Sequence, residues 1–135
     1  MNEEPITKEK IDQLLRFLPL FDVPGRDFFA KWEGGEETQD GTIAMPHPVY
    51  PEDVVQFYWT AGQPCWSDYD YEPREAARML RDDDLISNAT LADVKTMLTY
   101  CVRGERFSDG HWGTMLESGQ VVAILKRLRT LREQM

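Results

Sequence analysis

Apolar residues recur at three- and four-residue intervals along most of the chain, the period of a helix with one buried face. Ile11, Leu14, Leu15 and Leu18 predict a first helix over residues 8–18. Thr7 is placed to cap it, and Pro19 is expected to end it because proline removes a helical donor. A second helix is predicted over residues 51–62. Proline suits a first helical position, Glu52 and Asp53 complement the dipole, and Val54, Val55, Tyr58 and Trp59 are read as its inward face, with Gly62 as cap. Residues 73–80 form a third, with Ala76, Ala77 and Leu80 facing in. The clearest pattern is Leu91, Val94, Met97, Leu98, Cys101 and Val102. Ser87 or Thr90 can cap that helix, and Asp93 stands at capping-box spacing from Thr90. Gly104 closes it or lets the helical path run on to Phe107. A short segment over 109–116, with Ser108 as its cap, precedes a terminal helix whose seam is Val121, Val122, Leu125, Leu128 and Leu131.

Between the first two helices the periodicity is lost. Phe28, Phe29 and Trp32 form an aromatic cluster compatible with a helical turn, and residues 34–41 read as a polar, glycine-rich loop. Residues 42–50 are expected to be extended, since Pro46 and Pro48 disfavour a helix at the residue before each. The predicted fold is therefore all-α or mostly α. It is a compact bundle of five to six short helices with an irregular, aromatic-rich N-terminal half and at most a small edge strand. All 135 residues suit one domain, since a chain of this length can bury an adequate core.

Composition narrows the function classes. Apolar residues make up 41% and charged residues 29%, ordinary globular values. No apolar run approaches the roughly 20 residues needed to span a bilayer, and the N-terminus lacks the pattern of a secretory signal. A cytoplasmic protein with no membrane association is expected. Cys65 and Cys101 belong to no paired-cysteine motif and are expected to be buried thiols. The formal charge is −9, with 8 basic and 19 acidic residues up to Leu85 and 7 basic and 5 acidic residues after it. Such a field disfavours nucleic acid as a partner of the whole molecule. It leaves one basic stretch, Lys126, Arg127, Arg129 and Arg132, which reads foremost as a solvated helix face.

The segment from Leu98 to Gly110 follows the pattern L-T-x-x-V-R-x-E-R-F-x-x-G, and that from Gly119 to Leu128 follows G-x-[IV]-x-x-I-L-x-R-L. Together they resemble an uncharacterised bacterial and phage family of unknown function. The resemblance implies a microbial or viral setting and no activity.

Chemistry-bearing residues gather around the same motif. Arg103 and Arg106 follow an apolar helical run. They are read either as partners of helix-end carbonyls or of Asp68, Asp70 or Asp84, or as two forks converging on an anionic ligand. Glu105 and His111 flank them, and His111 is read as a helix-cap residue rather than a base, since no ordered catalytic spacing accompanies it. Trp66 is included as a contact candidate from an aromatic-dense loop. The Asp68-x-Asp70-x-Glu72 and Asp82-Asp83-Asp84 groups lack the offsets of a calcium loop and read as turn and helix-start carboxylates. No metal and no cofactor is expected. The leading expectation is a non-enzymatic protein-interaction module of phage or mobile-element accessory type, with a protein partner. The alternative is a small enzyme or anion-binding domain using an Arg-Arg-His cluster.

Overall fold

The helix boundaries follow their caps. In the computed structural model, which describes residues 4–29, 31–35, 37, 40–43, 47–106 and 108–135, helix α1 spans Lys8–Leu15. Thr7 accepts a hydrogen bond from the Lys10 amide at 3.3 Å. Pro19 does not end this helix. It sits in the first turn of a separate helix α2, Leu18–Phe21, where its missing N–H has no intrahelical acceptor to lose.

The next segment departs from the helical-turn expectation for the aromatic cluster. Residues Lys31–Glu33 form strand β1, antiparallel to β2, His47–Val49, with Trp32 opposite Pro48. The small edge strand is thus a two-stranded ladder, extended by a bridge between Glu37 and Ile43. The loop and extended stretch expected at residues 36, 38, 39 and 44–46 lie outside the described residues.

Helix α3, Glu52–Ala61, buries Val54, Phe57, Tyr58 and Ala61. That corrects the predicted face. The period i, i+3, i+4, i+7 from Val54 selects Phe57 and Ala61, and turns Val55 and Trp59 outward. A 3₁₀ turn, Pro64–Trp66, leads to α4, Pro73–Leu80, capped by the Glu72 carboxylate. Asp82 caps a further helix, α5, Asp83–Ser87, so the acidic run does supply helix-start carboxylates, for a helix that the apolar periodicity does not predict. Helices α2 and α5 take the fold past the five to six helices expected.

Helix α6, Leu91–Arg103, starts at a full capping box between Thr90 and Asp93. Its path continues past Gly104 as a 3₁₀ turn to Arg106; Phe107 lies outside the described residues. Helix α7, His111–Glu117, begins from Gly110 rather than Ser108, and α8 runs Gln120–Glu133.

Helix α8 packs against α1, α2, α5, α6 and α7, and α6 packs in turn against α3 and α4. Leu98, Leu125 and Leu128 are fully buried where these helices meet, and Val102 packs against them. Phe17, Phe21 and Phe57 meet edge-on or stacked with ring centroids 5.2–5.8 Å apart, closing the other end of the core. Cys65 and Cys101 are buried free thiols, and burial pushes the Cys101 thiol up to about 12. Among the described residues no helix is long and apolar enough to cross a membrane.

The cations of α8 mostly tie down neighbouring segments. Lys126 Nζ lies 3.4 Å from Asp22, Arg132 Nε lies 3.1 Å from Asp12, and Arg127 Nε donates to the Ala89 carbonyl at 2.9 Å. Because Leu125 is sealed between α6 and α8, Leu125→Ala removes buried contacts and opens a cavity. It is expected to cost about 2–5 kcal/mol in chemical denaturation, and a loss under about 1 kcal/mol contradicts the packing described.

Candidate functional site

The site is built on the turn between α6 and α7. Gly110 adopts φ 90°, a left-handed conformation natural to glycine, so α7 starts without a capping side chain of its own. Glu105 supplies one from the preceding turn. Its Oε2 accepts from the Gly110 amide at 3.0 Å, and its Oε1 accepts from the Trp112 amide at 2.8 Å. Oε1 also accepts from the Tyr50 hydroxyl at 2.8 Å, which joins the segment after β2 to this corner. Burial and the adjacent Glu105 carboxylate raise the Tyr50 phenol well above its ordinary value, so Tyr50 stays a donor.

Trp112 is fixed from three sides. Its indole N–H donates to the Val102 carbonyl at 2.9 Å, and its backbone carbonyl accepts from the Tyr58 hydroxyl at 2.9 Å. Its ring stacks on Tyr58, with centroids 4.5 Å apart and planes 7° from parallel.

His111 sits against Gly104, where any Cβ would overlap its imidazole. The ring meets Tyr100 edge-on at 5.1 Å, and its Nε2 is buried with no hydrogen-bond partner among the described residues. Desolvation pulls the imidazole below its ordinary value, opposed by the Tyr100 carbonyl and the Glu105 charge. A half-buried, weakly basic ring packed on backbone is poorly placed as a general base.

Arg103 and Arg106 do converge. Both line a cleft of about 200 Å³ whose other walls include Tyr69, Gly62 and Val102. The Arg103 guanidinium lies over the rings of Tyr69 and Tyr71, 5.8 and 5.3 Å from their centroids. The ion pairs expected with Asp68, Asp70 or Asp84 are not formed: among the described residues neither arginine has a carboxylate partner. Asp68 is engaged elsewhere, accepting from the Thr96 hydroxyl at 2.7 Å and from the Asp70 amide at 3.0 Å. The hydroxyls at the cleft are also committed, Thr99 to the Lys95 carbonyl at 2.8 Å and Ser67 to the Gln63 carbonyl at 3.1 Å.

Gly62 and Val102 also line an adjoining hollow of about 410 Å³ between Trp59 and Trp112. Trp59 is 83% exposed and Tyr69 is 70% exposed. The two arginines and two outward rings therefore occupy one continuous face. Trp66 does not belong to it. Its indole is fully buried, so it has no surface to offer a partner. Trp59 was misassigned to the core, although the spacing of Val54, Phe57, Tyr58 and Ala61 excludes it from that face.

Among the described residues no three His, Cys, Asp or Glu side chains gather as a metal ion would need. The arrangement thus offers an aromatic and cationic contact surface beside a rigid corner. In sequence, the chain belongs to the family described as "Family of unknown function (DUF6508)", whose model matches residues 6–134. No curated protein and no solved structure matches it.

Two measurements test the corner. Glu105→Ala strands two backbone donors and the Tyr50 hydroxyl, and is expected to lower unfolding free energy by at least about 2 kcal/mol. For His111, a folded-state value below the unfolded one means that the unfolded chain takes up a proton first as pH falls. Its contribution is therefore intact above about pH 6.5 and is lost as pH falls toward the folded value. An NMR titration, assigned with His47→Gln, is expected to place the His111 midpoint below about 6.5; a midpoint above it contradicts the desolvation described.

Proposed function

We propose that the chain is a non-enzymatic protein-interaction module whose contact surface is the face carrying Trp59, Tyr69, Arg103 and Arg106. The observation that carries this reading is the 83% exposure of Trp59 on a helix whose opposite side is fully packed. An exposed indole has a large apolar area in water, and Trp, Tyr and Arg are the residues that dominate binding energy at protein interfaces. The other candidate residues serve structure: Glu105 caps a helix, His111 packs on Gly104, and Trp66 fills the core.

The competing Arg-Arg-His reading has one observation in its favour, the shared arginine cleft. His111 is not among the residues lining that cleft and the thiol of Cys101 is sealed in the core, so the Ser67 and Thr99 hydroxyls at the cleft, both donated to backbone carbonyls, have no imidazole beside them to activate them. A nucleic-acid reading of α8 is weakened by the Asp12 and Asp22 pairings of Arg132 and Lys126. Two buried free thiols suit a reducing, cytoplasmic compartment, and the accessory role in a bacterium or phage belongs to the same reading.

Photo-crosslinking tests the module. With a benzophenone side chain at position 55, beside Trp59 on the outward side of α3, a discrete crosslinked partner is expected in lysate of the encoding cell. Trp59→Ala and Tyr69→Ala are expected to abolish that adduct while the melting temperature stays within a degree or two, since exposed residues contribute little to stability. Absence of any adduct sensitive to both substitutions overturns the proposal.

A further inference from the structure

We infer that the arginine cleft and the Trp59–Trp112 hollow form one peptide-binding site for an acidic–apolar segment of a partner protein. A side-chain carboxylate of that segment enters between Arg103 and Arg106, and a neighbouring large apolar side chain covers the indoles. The inference rests on the interaction-module reading and gives its face a ligand chemistry.

Charge complementarity carries the first half. In a chain with formal charge −9, two arginines share one cleft and neither meets a carboxylate among the described residues. The Arg103 guanidinium lies over two tyrosine rings, 5.3 and 5.8 Å from their centroids, so its charge is already held by π faces. Among the described residues no hydrogen bond engages that guanidinium, whose fork of N–H groups suits a planar, two-oxygen acceptor. A volume of about 200 Å³ accommodates a carboxylate with its stem and is smaller than the usual small-molecule site.

The walls distinguish a monoanion from a dianion. Gly62 is the C-cap of α3 and Arg103 is the last residue of α6, so both helices bring their negative ends to the cleft. Terminal carbonyls repel a phosphoryl dianion more than a carboxylate. No helix N-terminus lines the cleft to offset this.

The hollow accounts for the second half. It adjoins the cleft through Gly62 and Val102 and measures about 410 Å³. The Trp112 indole N–H is already donated to the Val102 carbonyl, so that ring offers the hollow no free donor. A ring so committed favours an apolar or aromatic side chain over a polar one at its face, while Gln63 Oε1, a buried acceptor without a partner among the described residues, leaves one polar point on the wall.

Random peptides displayed on phage and selected on the full chain test this directly. Binding of the enriched peptides is then read by fluorescence anisotropy at about 150 mM salt, where screening acts beyond roughly 8 Å. The expected peptides place Asp or Glu within a few positions of Phe, Trp, Leu or Met. Replacing the acid by its amide, or making Arg103→Gln or Arg106→Gln, is expected to weaken binding about tenfold or more, with unchanged melting. Arg103→Lys is expected to restore only part of the affinity, because an ammonium lacks the fork. Selected peptides without an acid, indifference to both arginine variants, or tighter binding of a phosphoserine peptide overturns the carboxylate site. So does Arg103-dependent binding of oligothymidine at the same salt. In the crosslinking experiment, an adduct that needs Trp59 but not Arg103 or Arg106 leaves the module standing and removes this inference; absence of any Trp59-dependent adduct removes both.

Discussion

The α6–α7 turn is held by one carboxylate that three donors share. Helix α7 begins at a left-handed glycine, which lets the chain reverse but leaves the first amides of the helix to find partners outside it, His111 at the Ser108 carbonyl and Trp112 at Glu105. Glu105 reaches forward across the turn, meets the amides of Gly110 and Trp112, and accepts the Tyr50 hydroxyl as well. A negative charge at a helix start is favoured by the dipole, so capping and electrostatics act in the same sense here. Tyr50 brings the chain following β2 with it, and the Gly113 amide lies 3.4 Å from the same hydroxyl. Without Glu105 the turn would have to find other acceptors for two backbone donors and a phenol in a partly buried corner.

That corner sets what the surface can present. Trp112 is locked by Glu105 through its amide, by Val102 through its indole, and by Tyr58 through its carbonyl and its ring. Its fixed ring becomes one wall of the hollow, and α3 supplies Trp59 as the other. The same 3₁₀ turn that carries Glu105 inward carries Arg106 outward, one residue later, beside Arg103. A half-buried anchored residue and an exposed one thus occupy adjacent positions, so the backbone that carries Arg106 is fixed by the bonds of Glu105.

Local signals were read well where the chain itself contains both partners. Thr90 and Asp93 form the capping box that their spacing announces, Thr7 caps α1, and α4 occupies Pro73–Leu80 as read. Pro19 was misread because proline is punctuation at either end of a helix, and only the packing of Leu18 and Phe21 into the core decides which. Phe57 was passed over in favour of Trp59, although helical period alone separates them. The family resemblance drawn from residues 98–128 agrees with the match over 6–134, and the motif marked Glu105. It could not mark what Glu105 binds, because Tyr50 lies 55 residues away in sequence. The bidentate pair of Arg26 with Asp53, at 2.7 and 2.8 Å, was missed for the same reason, being 27 residues apart.

That Arg103 and Arg106 meet no carboxylate among the described residues, in a chain with 24 acidic residues, follows from where the described acids are used. Glu72, Asp82 and Asp93 cap helices α4, α5 and α6. Asp12, Asp22 and Asp53 pair with Arg132, Lys126 and Arg26, and Asp68 and Glu105 accept hydroxyls and amides. A helix start or a fixed partner is thus the local destination of many carboxylates, leaving the helix ends at the cleft to the arginines. There the negative ends of α3 and α6 favour cations by about 0.3–1 kcal/mol each, which offsets part of the loss of a paired carboxylate. A side chain already placed against two aromatic faces loses less freedom when an outside carboxylate arrives. Acidity elsewhere in the molecule therefore sharpens this face, since a partner approaching with a carboxylate is repelled from most of the surface and finds complementary charge here.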